Sequence, residues 1–239
     1  MKRLLLTMSA TLCWATAAAA AAGPAASASS SATAYAAEVE ALARAQAAIG
    51  DLAAEFTLTV KGGSPQERTL KAKGKIFLAA GRRYRVEYAS PEAQLLVSDG
   101  KQRWLYLKKI NQVQKQTLPP AGNPQEFFLE LGGGLAQWLK HAQITRVLKV
   151  GVTPERWEYD CSPLSGETKT YQRARIWVRG ENRLPETVEI DAEKFVRVTL
   201  SRVTIHRRDD LQAGGAGLPA KLFEFTPPAD AEVVEPLWP

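Results

Sequence analysis

Between Tyr84 and Tyr106 the chain reads YRVEYASPEAQLLVSDGKQRWLY, three short segments that alternate apolar and polar residues, with turn formers between them. Successive side chains of a strand point to opposite faces, so this alternation commits the stretch to an antiparallel β-meander. Tyr84, Val86 and Tyr88 share one face; Arg85 and Glu87 share the other. Ser90-Pro91 interrupts the ladder, Leu95 to Val97 resume it, and Asp99-Gly100 supplies a pair that tolerates positive φ in a tight hairpin. Trp104 and Tyr106 then return on one face, opposite Leu105 and Leu107.

The same period of two recurs on both sides of the meander. Phe56, Leu58 and Val60 alternate with Thr57 and Thr59 as a first strand, and Thr69 to Leu78 form a second, with Lys71, Lys73 and Lys75 on one face and Ala72, Gly74 and Ile76 on the other. Gln112 to Leu118 make a mostly polar strand, suited to an edge or a solvated face. Ile144–Val150, Arg156–Cys161, Ala174–Val178, Glu186–Ile190, Phe195–Ile205 and a short Phe223–Phe225 continue the pattern. About a dozen strands with few helices predict a mainly β fold, a strongly curved antiparallel sheet or incomplete barrel, because curling limits exposed edges.

Helices interrupt this pattern in two places. EVEALARAQAAIGDL brings Val39, Leu42, Ile49 and Leu52 near one side at helical spacing, with Gly50 as a natural end. Either it packs on the sheet as core or it covers a cavity. After the Pro- and Gly-rich stretch 119–124, Asn123 caps and Pro124 starts a short helix carrying Phe127, Phe128 and Leu131. A triple glycine, 132–134, separates it from LAQWLKHA, a second short helix carrying Leu135, Trp138 and Leu139. The pair reads as a movable cover or as a packed connection.

At the N-terminus, Lys2 and Arg3 precede an apolar run from Leu4 to Trp14 and an Ala/Ser-rich tract, which is the plan of a secretory leader. The apolar part is too short to span a bilayer. Residues 1–34 are therefore expected to be removed, with cleavage between 22 and 34, leaving 35–239 as one exported domain. Cys13 falls in the leader, so Cys161 remains alone and is expected to be a small buried strand residue, without a disulfide. A formal charge of +6, spread over many segments, suits a soluble surface with a basic patch for an acidic partner or anionic membrane. Neither nucleic-acid motif nor nucleophile elbow, phosphate loop or metal-spaced His/Cys cluster is present in the sequence, which favours a binding protein over an enzyme and calls for no cofactor.

The run from Gly74 to Val113, with VSDGKQRWLY at its centre, and FEFTPPADAEVVE near the C-terminus resemble the LolA family of periplasmic lipoprotein carriers. That resemblance implies an incomplete β-barrel closed by short helices over an apolar cavity, and a monomeric, non-catalytic chaperone for acylated lipoproteins. It implies as partners an inner-membrane ABC transporter complex of the LolCDE kind and an outer-membrane acceptor of the LolB kind. The alternative is a carrier or sensor of another lipid or glycolipid on the same half-barrel. Carried onto this chain, the lipid-facing residues are Leu42 and Ile49 on the covering helix, Phe56 and Leu58 on the first strand, Tyr84, Val86, Tyr88 and Trp104 in the meander, and Phe127, Phe128 and Leu131 in the lid. Family members carry an Arg-Pro step before the strand equivalent to the one starting at Tyr84, and that arginine helps hold the lid. Here Ala80-Gly81 stand in its place, so either Arg82 or Arg83 substitutes from a shifted position or both face solvent.

Overall fold

The computed structural model describes residues 35–62, 69–118, 129, 135, 138, 139, 142–152, 155–164, 171–180 and 182–235. One helix, α1 (Ala36–Ala47), precedes eleven long strands: β1 (Ile49–Lys61), β2 (Thr69–Ala79), β3 (Arg83–Ser90), β4 (Gln94–Asp99), β5 (Gln102–Leu107), β6 (Gln112–Thr117), β7 (Ala142–Val152), β8 (Glu155–Pro163), β9 (Arg173–Arg179), β10 (Leu184–Asp191) and β11 (Phe195–Arg207). A five-residue helix, α2 (Arg208–Gln212), and a three-residue strand, β12 (Glu232–Val234), follow. All twelve strands join one sheet in the order β12-β6-β5-β4-β3-β2-β1-β11-β10-β9-β8-β7. Every neighbour is antiparallel except β12, which runs parallel to β6. The sheet is unclosed and mainly antiparallel, as the alternation predicts.

Two boundaries differ from the sequence reading. The helix stops at Ala47, and Ile49, Gly50, Asp51 and Leu52 are already strand, because β1 pairs with β11 from Ile49 and with β2 as well from Asp51. Ladder hydrogen bonds on two sides outweigh a helical spacing of apolar residues. Phe223 to Phe225 are not a strand: Phe223 ends a single 3₁₀ turn, Ala220–Phe223, and the last strand lies further on at Glu232–Val234.

Gly74 shows how closely β1, β2 and β3 fit. It stands across from Phe56 on one side and Tyr88 on the other, and those two rings meet edge-on over it, with centroids 5.2 Å apart. A Cβ there would lie 1.9 Å from the Glu87 carbonyl oxygen and 2.8 Å from the Phe56 ring. Gly74→Ala is therefore expected to lower stability by about 2–3 kcal/mol, the usual cost of overpacking. A urea titration reads it, and an unchanged midpoint would contradict this register.

The outer face, opposite Tyr84, Val86 and Tyr88, is covered in two different ways. Over β3 to β6 the C-terminal residues form a strap. The Asp51 carboxylate, buried at the start of β1, is bonded to His206 and accepts the Leu218 amide at 2.7 Å, anchoring the strap's first end. Leu222 then accepts from Arg85, Phe223 is buried beneath the Arg83 guanidinium, and Phe225 meets Trp104 and Tyr106 at 6.4 and 6.0 Å. Asn111 donates to Asp230, and β12 pairs with β6, fixing the far end. The polar β6 is thus not the sheet's edge.

Over β8 to β11 the cover is electrostatic. Asp160, 5% exposed, accepts from Arg146, Arg173 and Arg175, while Glu189 is paired with Arg197. Burial alone would push the Asp160 carboxyl up, but the Arg173, Arg175 and Arg146 hydrogen bonds and the Arg173 charge outweigh it and hold it below its usual range.

Candidate functional site

Strand register shows that one face of the sheet is apolar from β3 through β2, β1, β11, β10 and β9 to β8. On β3, Tyr84, Val86 and Tyr88 stand across from Leu78, Ile76 and Gly74 of β2, which stand across from Leu52, Ala54 and Phe56 of β1. Leu58, next along that face of β1, stands across from Val198 of β11; the line runs on through Val188 of β10 and Ile176 of β9 to Tyr159 of β8. Directly opposed residues in a sheet share a face, so all of these line one inner surface. Two buried clusters lie along it, one around Tyr84, Val86, Phe56, Leu78 and Leu52, the other around Tyr159, Trp157, Ile176 and Val188.

Helix α1 lies on this face. Leu42 is buried in the second of these clusters, together with Leu135, Trp138 and Leu139. The helix is fastened by polar groups. Tyr159 donates its hydroxyl to Glu38 at 3.0 Å, Arg183 forms an ion pair with the same carboxylate, and Gln46 donates to the Arg183 carbonyl at 3.1 Å. The Arg183 guanidinium also stacks over Trp157, 4.5 Å from the ring centroid. Burial, reinforced by the Glu38 charge, pushes the Tyr159 phenol well above its ordinary range, so it remains a donor. Arg183 occupies a left-handed backbone conformation, φ 46°, in the turn between β9 and β10.

Of the residues expected to face lipid, Phe56, Leu58, Tyr84, Val86 and Tyr88 share the inner face. Burial raises the Tyr88 phenol, keeping it uncharged there. Leu42 lies on α1 as expected. Ile49 is buried with the cluster around Tyr84, but from β1 and not from the helix. Trp104 is corrected: it stands across from Val97, on the outer face, and packs on Phe225 of the strap. The physical reason is that β4 and β5 are apolar on both sides. Leu96 and Leu105 face inward while Val97 and Trp104 face the strap. Phe127, Phe128 and Leu131 lie outside the described residues.

Of the two candidate latch arginines, Arg82 lies in the turn between β2 and β3 and Arg83 opens β3. Arg82 takes the left-handed turn conformation, and its carbonyl accepts from Ser98. Arg83 donates to the Ala80 carbonyl and lies over Phe223, gripping the strap. Arg183, which does reach α1, sits in the turn ENRLP and carries no sequence signal of that role. Tyr159 and Trp157 were legible as alternate apolar positions in RWEYDC.

Cys161 is buried on β8, and burial together with the Asp160 charge pushes its thiol up to about 12, so it is no nucleophile at neutral pH. Among the described residues no helix is long and apolar enough to cross a membrane, and no group of His, Cys, Asp and Glu could hold a metal.

The family model "Outer membrane lipoprotein carrier protein LolA" matches residues 48–211. An outer-membrane lipoprotein carrier protein from Methylibium petroleiphilum is 29% identical over 184 residues, which are 76% of this chain and 81% of that one. One from Actinobacillus pleuropneumoniae is 26% identical over 193 residues, 80% of this chain and 81% of its own. Among solved structures, a conserved protein from Thermus thermophilus aligns at TM-score 0.47 and 13% identity, over 84% of this chain and 99% of that one. With its sheet, its inner face and this family match taken together, the chain belongs to the LolA family of outer-membrane lipoprotein carrier proteins.

Proposed function

We propose that this chain is a periplasmic chaperone that takes acylated lipoproteins from the inner membrane and carries them to an acceptor at the outer membrane. Residues 1–34 are the leader that exports it, and 35–239 are the carrier. An ABC transporter complex of the LolCDE kind supplies the cargo, a LolB-like acceptor receives it, and the carrier works as a monomer without a catalytic step. The observation that carries this reading is the continuous apolar inner face under a helix fastened by polar contacts.

The energetics fit that arrangement. Each buried methylene is worth about 0.8 kcal/mol, so an acyl chain prefers a membrane to water by on the order of 10 kcal/mol. A soluble carrier must offer comparable apolar surface and hide it when empty, since a large exposed apolar patch invites aggregation. Lining the inner face with Phe56, Leu58, Tyr84, Val86 and Tyr88 supplies the surface. Helix α1, packed on the adjoining cluster around Tyr159, supplies part of the cover that hides it. Phe127, Phe128 and Leu131 belong to the same cover in this reading.

Native mass spectrometry of the protein purified from its own periplasm tests the proposal. The expected result is a co-purifying lipoprotein with its acyl chains. Co-purification of a glycolipid or free diacyl lipid alone would replace the cargo assignment, and a chain that takes up no acylated molecule when mixed with lipoprotein in detergent would overturn it.

A further inference from the structure

The outer face has a third region, covered neither by the strap nor by the arginine–carboxylate network. It spans the first half of β2 and the adjoining end of β1. Lys71, Lys73 and Lys75 all point outward there and are exposed, as is Lys61 of β1, which lies beside them across from Thr69. Side chains two apart on a strand are about 7 Å apart, within a Debye length at physiological salt, so these ammonium groups repel one another. Among the described residues no nearby carboxylate is left to neutralise them. Lys71 and Lys73 stand across from Thr59 and Thr57. Lys75 stands between Glu55 and Glu87, but Glu55 is held by Arg202 at 2.9 Å and Glu87 by Arg85 at 2.6 Å. Among the described residues no ion pair joins Lys71, Lys73 or Lys75 to a carboxylate.

Lysine is also a poor strand former, and β2 is an internal strand, so three in alternation weaken the sheet and gain no internal partner. We propose that this lysine strip is a landing surface for an anionic phospholipid bilayer. The chemistry of the strip selects that occupant. Its groups are ammonium donors and threonine hydroxyls on a sheet face, which suit a layer of phosphate headgroups. A protein partner would need buried aromatic, Met or Arg anchors at the centre of the contact, and lysine is depleted there. Loading of acyl chains and landing on a bilayer use opposite faces of the sheet, so either can fail without the other.

Co-sedimentation with vesicles is the test, using the carrier as purified from the periplasm. Vesicles of phosphatidylcholine mixed with phosphatidylglycerol are expected to bind it, with affinity falling steeply as salt rises, while phosphatidylcholine alone does not. A basic residue near an anionic surface contributes roughly five-fold, so Lys71→Gln, Lys73→Gln and Lys75→Gln together should weaken binding on the order of a hundred-fold. The matching triple arginine variant should keep it, and the glutamine variant, relieved of the repulsion, should unfold at a urea midpoint no lower than wild type. Equal binding to both vesicle types, no binding to the anionic vesicles at low salt, or a triple glutamine variant that binds as wild type would each overturn the proposal. An acidic protein partner would show itself by the second of these outcomes.

Discussion

Leu58→Glu is expected to abolish acyl binding and leave a folded protein. Leu58 is half-buried on the inner face of β1, packed against the cluster that holds Phe56 and Tyr84, and stands across from Val198 and Ala72. In the empty protein a glutamate there can keep part of its hydration. An acyl chain laid over it would strip that water, and desolvating an unpaired carboxylate costs several kcal/mol unless it takes up a proton. Each 1.4 kcal/mol is a factor of ten, so affinity for a fluorescent fatty acid should fall at least a hundred-fold. Thr57→Glu supplies the control. Thr57 is one residue away, exposed, and on the outer face, so the same charge there should leave acyl binding unchanged. Val86 is the poorer test, because at 4% exposure within the cluster a glutamate would unfold the sheet before it told anything about cargo. Normal binding by Leu58→Glu, or equal loss from Thr57→Glu, would remove the inner face from the mechanism.

How much of this could be read beforehand follows from which constraints are local. Alternation and turn residues are local, so the strands from β2 to β11 are legible to within a few residues, and Tyr84, Val86 and Tyr88 are correctly grouped. The face of Trp104 is not local. Both faces of β4 and β5 are apolar, and the reason is a strap contributed by Phe223 and Phe225, more than a hundred residues further on. The end of α1 is lost for a similar cause. The spacing Leu42, Ile49, Leu52 is compatible with one long helix until pairing with β2 and β11 claims Ile49 onward. Arg183 is least legible of all, since it meets Glu38 across 145 positions and belongs to no pattern.

Because that contact holds α1 down, Arg183→Asn should free the helix while the sheet stays intact. Asparagine accepts the left-handed backbone at this turn, so the substitution removes the side chain without adding strain at φ 46°. What is lost is the ion pair with Glu38 and the stacking on Trp157. The Arg183 carbonyl still receives Gln46, and Leu42 is still buried, so α1 is weakened and not abolished. Hydrogen bonds to charged groups are worth about 1.5–3 kcal/mol, so a loss of about 2 kcal/mol is expected. Amides of α1 should then exchange with solvent about thirty-fold faster, while those of β1 and β2 keep their rates. If α1 is the cover over the cargo face, a fatty-acid probe should also associate faster. Arg183→Lys should recover only part of the effect, since lysine restores the charge but not the planar stack on Trp157. Wild-type exchange rates in α1 of the asparagine variant would show that the helix is held by its apolar contacts alone, with Arg183 no more than a surface charge.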